Sequence, residues 1–191
     1  ILPEAALEKG QAAAVARFLA TRCELELFIS GAIDAKKDSN EIHATLFHKR
    51  QVYTTWRQAK HHRWRLDAGQ IRRYHLGDAL NPRHKWWERL SLAPRTCTFY
   101  VFRPGASLAV LVCEDLARID PAQAALRAIG PNLVIVLLMD GPQMERRWPG
   151  RYATVLADDP GSSVLTLTSL GMVNRSQMPG EPASRRRPTR R

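Results

Sequence analysis

The chain has 191 residues, of which 45% are hydrophobic, and a formal net charge of +11 at pH 7. This length suits one domain with a single substantial core and does not require two. Apolar runs such as 133–139 fall well short of the roughly 20 residues that a membrane span needs, so we expect no membrane partner.

The hydrophobic pattern predicts alternating helices and strands, which is typical of an α/β protein. Apolar residues at three- and four-residue spacing predict a helix over 7–23. The segment 67–92 is expected to be irregular and helical only in parts, because Asn81-Pro82 and Pro94 interrupt it. Residues 1–3 are predicted to end a strand. Five more strands are predicted before residue 113, over 25–29, 42–47, 52–56, 98–102 and 108–112, of which the second and third form one hairpin and the last two another.

The segment 109–116 is the most informative in the chain. A short apolar strand ends there at Cys113, which directly precedes Glu114 and Asp115. In open α/β proteins, ligands and chemistry lie at the carboxyl ends of the strands. Cys113 is therefore a candidate nucleophile, although a free cysteine taken alone is more often a small core residue.

Two other chemically active residues also follow predicted strands. Glu4 comes after Ile1-Leu2-Pro3, and Lys60 comes shortly after the strand over 52–56. Taken singly, Glu4 could equally be a surface carboxylate at a helix N-terminus, where the helix dipole favours it. A lone lysine is usually solvated. The joint pattern of Glu4, Lys60 and Cys113, each after a strand and in that order, favours a shared role.

This order resembles the carbon–nitrogen hydrolase (nitrilase) superfamily, whose members use a Glu-Lys-Cys triad on an α-β-β-α sandwich. The similar motifs are Leu-Pro-Glu at 2–4, the strand at 28–33 with Asn40, Gln-Ala-Lys-His-His at 58–62 and Val-Cys-Glu-Asp at 112–115. The resemblance covers about residues 1–176. It further implies helices over 121–129 and 151–157, and strands over 131–138 and 163–168.

The resemblance implies an enzyme that hydrolyses a C–N bond in a small non-peptide amide or carbamoyl compound. Cys113 would attack to form a thioester, Glu4 would act as base and then acid, and Lys60 would stabilise the oxyanion, with no cofactor. An unperturbed thiol is only slightly ionised at neutral pH, so a neighbouring carboxylate is needed to take its proton. The backbone N–H of Glu114 is expected to be a second oxyanion donor. Cys-Glu-Asp favours an amidase over a true nitrilase, for which Cys-Trp-Glu would be expected.

The interval between Lys60 and Cys113 departs from the family pattern, because its 53-residue separation is unusually long. The family has an accessory glutamate in this interval. Glu88 is the only glutamate available here, and Asp67 and Asp78 are rival candidates. Asp115 is either a residue that supports the site or the N-cap of the following helix, and we favour the cap.

Both ends of the chain lack counterparts of outer family elements. We therefore expect a sandwich that is incomplete at both ends, in a fragment or an appended domain of a larger protein. The resemblance suggests a homodimer. Residues 177–191 are rich in arginine and proline and are predicted to be disordered.

A basic, tryptophan-rich insert is expected over 61–97. Between Glu41 and Arg95 the chain has twelve lysines and arginines against four acids. Basic residues interleaved with aromatic ones suit single-stranded nucleic acid. The alternative function is therefore a nitrilase-like binding or regulatory module of a larger nucleic-acid-associated protein, for example one fused to a reverse transcriptase. The insert and tail would contact RNA or DNA. The simpler interpretation, which we favour, is a solvated surface whose tryptophans anchor the insert.

The cysteines and histidines give no indication of a metal site. The three cysteines lack metal-type spacing, and His61 and His62 would point to opposite faces of a strand. An odd cysteine count without an export signal favours reduced thiols, and we expect a cytoplasmic protein.

Overall fold

The computed structural model describes residues 1–22, 24–34, 36–91 and 95–177. Its fold is mixed α/β, as the sequence predicts, and is built on two four-stranded sheets and one small two-stranded sheet. The strands are β1 (Leu7–Glu8), β2 (Leu27–Asp34), β3 (Ser39–His48), β4 (Gln51–Ala59), β5 (Arg65–Leu66), β6 (Trp86–Trp87), β7 (Phe99–Arg103), β8 (Ala106–Val112), β9 (Leu133–Leu138) and β10 (Ser163–Thr168). The helices are α1 (Lys9–Arg22), α2 (Ala68–Arg73), α3 (Ala124–Ile129), α4 (Trp148–Asp158) and α5 (Leu170–Ser176), with a 3-10 helix over Cys113–Ala117 and a π-helical turn over Ile119–Gln123.

The first sheet has the order β1-β2-β3-β4. Strands β2, β3 and β4 are antiparallel, and the short β1 runs parallel to β2. The turn between β3 and β4 consists of Lys49 and Arg50, whose φ angles are 50° and 61°. Two residues at positive φ give a turn whose twist matches that of the strands, so the predicted hairpin is confirmed.

The second sheet has the order β10-β9-β8-β7. Strands β8, β9 and β10 are parallel, and β7 pairs antiparallel with β8 across a turn at Gly105, whose φ is 73°. The parallel strands β8 and β9 are almost continuously apolar and buried, as strands covered on both faces must be. Their parallel register places the residues after Val112 and after Leu138 at one edge of the sheet.

The main core joins the two sheets. Ile29 and Ile42 from the first sheet pack in one cluster with the apolar residues of β8 and β9, and Leu126 of α3 and Leu156 of α4 belong to the same cluster. On the first sheet, Ala16 and Ala20 of α1 form a second cluster with Phe28 and Phe47. Small alanine side chains allow α1 to approach the sheet closely. None of the described helices combines the length and the apolar character needed to cross a membrane.

Several predicted elements differ from the observed ones. The helix predicted over 7–23 begins only at Lys9, because Leu7 and Glu8 pair with β2. The segment 67–92 contains one short helix, α2, and the strand β6. Helix α5 was not predicted. The predictions for Cys23, Pro94 and the tail beyond residue 177 lie outside the described residues.

Candidate active site

Glu4 lies in the loop that precedes β1, and it is buried with 4% of its surface exposed. The prediction that it follows a strand is wrong, because residues 1–3 form no strand. The loop runs along β2, where Leu2 N donates to Ile29 O at 2.8 Å and Gly31 N donates to Pro3 O at 3.2 Å. A Cβ at Gly31 would lie only 2.5 Å from both Glu4 Cα and Pro3 O. Glycine at this position therefore allows Glu4 to sit against the sheet, and the interpretation of Glu4 as a surface carboxylate is wrong.

Lys60 directly follows β4 and is 2% exposed. Its Nζ donates to Glu4 Oε1 at 2.8 Å and to Glu88 Oε2 at 2.7 Å. Asn40 joins the same two carboxylates, because its Nδ2 donates to Glu4 Oε1 at 2.8 Å and to Glu88 Oε1 at 2.9 Å. These four residues form a closed polar ring, which we call the carboxylate–lysine cluster. The interpretation of Lys60 as a solvated lysine is therefore wrong.

Glu88 is the acid that the fold brings to Lys60 from the interval between Lys60 and Cys113. It is held by the backbone of Trp64, since Glu88 N donates to Trp64 O at 2.8 Å and Trp64 N donates to the side-chain oxygen Glu88 Oε2 at 3.0 Å. Asp67 instead forms a capping box with Gln70 at the start of α2, and Asp78 is exposed. Of the three candidates, only Glu88 contacts the cluster.

Cys113 follows β8 and begins the 3-10 helix, with 3% of its surface exposed. Its φ of 45° lies in the left-handed region, which is costly for a residue with a Cβ and is characteristic of functional sites. The thiol lies near enough to Glu4 and Lys60 for both charges to shift its pKa. Glu4 Oε2 is buried and has no hydrogen-bond partner of regular geometry in the described structure. The fold thus brings Glu4, Lys60 and Cys113 together.

The electrostatics of these three groups are dominated by burial and by an excess of carboxylates. Burial and the charge of Glu4 raise the pKa of the Cys113 thiol well above its ordinary value, and Lys60 opposes this shift. Burial raises the pKa of Glu4, and Glu88 adds to the effect while Lys60 opposes it. Burial alone would lower the pKa of Lys60, but Glu4, Cys113 and Glu88 outweigh it, so the pKa lies above its ordinary value. Lys60 is therefore a fixed cation, and Cys113 rests as a neutral thiol.

Asp115 is fully buried and holds the backbone of the segment that follows Lys60. One carboxylate oxygen accepts from His62 N and His62 Nδ1, each at 3.0 Å, and both oxygens accept from His61 N at 3.1 Å. The prediction of an N-cap is wrong, because Asp115 lies inside the 3-10 helix, whose N-cap is Val112. Asp115 instead ties the chain after Lys60 to the turn that carries Cys113.

The Glu114 side chain pairs with Arg118, four residues on. Its backbone N–H is the second of the 3-10 helix. The first N–H groups of a helix have no intrahelical acceptor. The geometry thus leaves this N–H available as a donor next to Cys113.

Sequence reasoning missed two residues that hold the site together. Asn40 was noted only as part of a hairpin, yet it bridges Glu4 and Glu88. Gln58 joins the two large sheets, since its Nε2 donates to Val110 O at 2.8 Å and its Oε1 accepts from Thr98 N at 2.7 Å. The one sequence feature that could have drawn attention to Gln58 is that it is a polar residue two positions before Lys60. Its partners are 52 and 40 residues away, which no local pattern indicates.

Two cavities flank the three central groups, and both are lined by Trp64 and Met139. The one that contains Cys113 has a volume of about 290 Å³. Its other lining residues are Gln70, Tyr74, Glu114, Ala117, Asp140, Trp148, Arg151 and Tyr152. The second, of about 510 Å³, reaches Glu4, Lys60 and Glu88 and is walled largely by Leu66, Leu80, Trp86 and Trp87.

The basic, tryptophan-rich insert forms part of both cavities. Trp64 packs edge-on against Tyr74 with ring centroids 5.7 Å apart, a contact between two residues of the insert. Trp87 is 59% exposed, and Arg65 lies over its ring. Within the described part of the chain, no group of three or more His, Cys, Asp or Glu side chains is arranged to hold a metal ion.

Comparison with known proteins shows which fold this chain shares. Neither a scan against protein-family models nor a search of curated proteins finds a match. Among solved structures, a mutant of the Nesterenkonia AN1 amidase from the nitrilase superfamily matches with a TM-score of 0.53 at 16% sequence identity. The chain has the fold of a carbon–nitrogen hydrolase. The match covers 83% of this chain and 53% of that one, so this chain spans about half the length of the amidase. At this identity, what the two proteins share is the fold.

Proposed function

We propose that this chain hydrolyses a C–N bond in a small non-peptide amide or carbamoyl compound, with Cys113 as nucleophile. The observation that carries the proposal is the convergence of three residues that are far apart in sequence. Lys60 Nζ lies 2.8 Å from Glu4 Oε1, and both groups lie near enough to the buried Cys113 thiol to shift its pKa. The shared fold supports the proposal, as does the packing of α1 on one sheet and of α3 and α4 on the other, which suits an α-β-β-α sandwich.

The proposed reaction has two steps. Glu4 takes the proton from Cys113 as Sγ attacks the carbonyl carbon, and the C=O electron pair moves onto oxygen. When the tetrahedral intermediate collapses, the C–N bond breaks and the amine leaves with the proton held by Glu4. Water then attacks the thioester with Glu4 again as base. The C–S bond breaks, the acid is released, and the thiol regains its proton.

The raised pKa of Cys113 supports activation of the nucleophile by a general base. A neutral thiol in the resting state must lose its proton during attack, so the site relies on Glu4 as general base and not on a preformed thiolate. Lys60 Nζ and the Glu114 N–H would stabilise the oxyanion. Removing one such donor typically costs about 3 to 4 kcal/mol of transition-state stabilisation.

Glu88 and Asn40 act in this proposal as positioning residues. They contact Lys60 and Glu4 and hold both in one orientation. Asp115 plays the same part for the backbone on either side of the site. The cavity of about 290 Å³ beside Cys113 lies at the lower end of the range for ligand pockets, which suits a small substrate.

Alkylation by iodoacetamide with peptide mapping tests the proposal. At neutral pH we expect Cys113 to be alkylated faster than Cys97, because Glu4 assists deprotonation of Cys113, whereas Asp115, the acid that acts on Cys97, is engaged by His61 and His62. In Glu4→Gln the reactivity of Cys113 should fall while that of Cys97 stays unchanged as an internal control. A screen of small amides for ammonia release, with Cys113→Ala as the blank, then tests turnover. If Cys113 reacts no faster than Cys97, or is indifferent to Glu4→Gln, the proposal is wrong.

A further inference from the structure

The cavity beside Cys113 contains a cation that the proposed chemistry does not use. Helix α4 places Trp148, Arg151 and Tyr152 at positions i, i+3 and i+4, so the three side chains share one face of the helix. All three line the cavity that also contains Cys113. Arg151 therefore faces the space next to the proposed nucleophile.

The other charged groups of this cavity are already paired. Glu114 forms an ion pair with Arg118, and Asp140 Oδ1 accepts from Arg147 Nη2 at 2.7 Å. Tyr74 donates its hydroxyl hydrogen to the same Asp140 oxygen. Arg151 makes no salt bridge with any acid in the ranges that the structure describes. Among the charged residues that line this cavity, Arg151 is therefore the one without an oppositely charged partner in the described structure.

The rest of the wall strengthens the attraction of this cation for an anion. Trp64, Tyr74, Trp148 and Tyr152 surround the space with aromatic rings. Arg151 is exposed, so water screens part of its charge, and the aromatic rings reduce this screening on the side of the cavity because the effective dielectric constant there is lower. A guanidinium also matches a carboxylate geometrically, with two parallel N–H···O hydrogen bonds.

We infer that Arg151 binds a carboxylate carried by the acyl group of the substrate, so that the preferred substrates are half-amides of small dicarboxylic acids. The inference rests on the proposed function, in which the acyl group is attached to Cys113. Because Cys113 and Arg151 line the same small cavity, an acyl chain on Cys113 extends towards the guanidinium. Arg151 is then a specificity-determining residue.

Kinetics with a matched pair of amides tests this inference. Succinamate carries the carboxylate, and levulinamide has the same shape with a methyl group in place of one carboxylate oxygen. We expect the wild type to prefer succinamate. Arg151→Gln should lower kcat/KM for succinamate by about 10- to 100-fold, mainly through KM, and change levulinamide less than about twofold. For Arg151→Lys we expect a kcat/KM for succinamate between that of the wild type and that of Arg151→Gln, because lysine keeps the charge but loses the bidentate geometry.

The control variant is Arg127→Gln on α3, a residue that pairs with Asp159 and does not line the cavity. It should leave the preference for succinamate unchanged. A wild type that prefers levulinamide, or an Arg151→Gln variant that loses both substrates equally, would overturn the inference.

A binding measurement separates failure of this inference from failure of the proposed function. Succinate should protect Cys113 of the wild type from iodoacetamide, and the protection should weaken in Arg151→Gln and at high ionic strength. If succinate protects Cys113 but no amide is hydrolysed, the proposed hydrolase function is wrong and the role of Arg151 in binding a carboxylate stands. Absence of protection, or equal protection in Arg151→Gln, argues against the role of Arg151.

Discussion

At the scale of residues, the site is a buried cluster with more negative than positive charge. Glu4 and Glu88 share the single cation of Lys60, and Asn40 donates to both carboxylates. Burying an unbalanced carboxylate is expensive, so the cluster holds protons more tightly than its members would in water. This is the physical reason that the pKa values of Glu4 and Cys113 are both raised.

The pH dependence of an active substrate should reflect these shifts. Glu4 must be ionised to act as base, so kcat/KM should rise with pH through a midpoint above the ordinary glutamate value of 4.5. Because the pKa of Lys60 is raised, activity should not fall as pH passes the ordinary lysine value of 10.5 while the protein stays folded. A pH profile of kcat/KM measures both limbs. An acid midpoint at or below 4.5, or loss of activity near 10.5 without unfolding, would contradict this assignment.

Removing the cation should destabilise the fold in a pH-dependent way. Lys60→Met leaves two carboxylates without their partner, and we expect a loss of about 3 to 5 kcal/mol of unfolding free energy at neutral pH. A carboxyl group with a raised folded-state pKa stabilises the fold when protonated, and this stabilisation is lost as pH rises. The deficit of the variant should therefore shrink as pH falls through the folded-state pKa of Glu4.

Urea unfolding at neutral and mildly acidic pH measures this deficit. Lys37→Met is the matched control, because Lys37 is exposed and should change stability by less than about 0.5 kcal/mol. A deficit that is the same at both pH values would show that lost packing, and not unpaired charge, causes the instability.

At the scale of elements, short strands with well-placed turns position the catalytic candidates. Strand β10 is observed over Ser163–Thr168, the range that the family resemblance implied, and both predicted hairpins form. Period-two and continuous apolar patterns predicted these elements because each depends on neighbours in sequence. The parallel pairing of β1 with β2 was not predicted, since the two strands are joined only through the intervening helix α1.

Substitution of Gly31 tests whether strand β2 determines the position of Glu4. In Gly31→Ala the added Cβ meets backbone atoms of Pro3 and Glu4 at 2.5 Å, and backbone cannot move aside cheaply. We expect a loss of about 1 to 3 kcal/mol of stability, together with lower kcat as Glu4 is displaced. Gly10→Ala is the control, because a Cβ there meets nothing within 4 Å and α1 should gain about 0.5 to 1 kcal/mol. Urea unfolding of both variants gives the comparison, and a neutral Gly31→Ala would show that the loop tolerates displacement.

At the scale of the whole molecule, the insert is attached to the body by buried polar contacts. Tyr74 donates its hydroxyl to Asp140, and burial together with Asp140 raises the pKa of Tyr74 to about 12, so it remains a donor. Arg175 of α5 donates to Tyr74 O at 2.6 Å. The insert is thus part of the cavity walls. Binding of nucleic acid by the insert and tail, and formation of a homodimer, stay predictions.

Loosening this attachment should expose the insert without unfolding the protein. Tyr74→Phe removes one buried hydrogen bond, and we expect a loss of about 1 kcal/mol and faster amide exchange over 61–91. Tyr53→Phe is the control, since Tyr53 is 71% exposed and should change neither quantity. Hydrogen exchange read by mass spectrometry measures the segment. Uniform acceleration across both sheets would mean that Tyr74 stabilises the whole fold and does not specifically anchor the insert.

The sequence by itself determined the alternation of helices and strands and the placement of Lys60 and Cys113 after strands. These features depend on local periodicity and on short motifs. Only the tertiary structure decided that Glu88 and not Asp67 joins Lys60, that Asp115 supports the backbone of the site instead of capping a helix, and that Arg151 faces the cavity of Cys113. Each of these outcomes depends on contacts between segments that are far apart in the chain. Such contacts depend on how the two sheets pack, and no local pattern in the sequence reveals that packing.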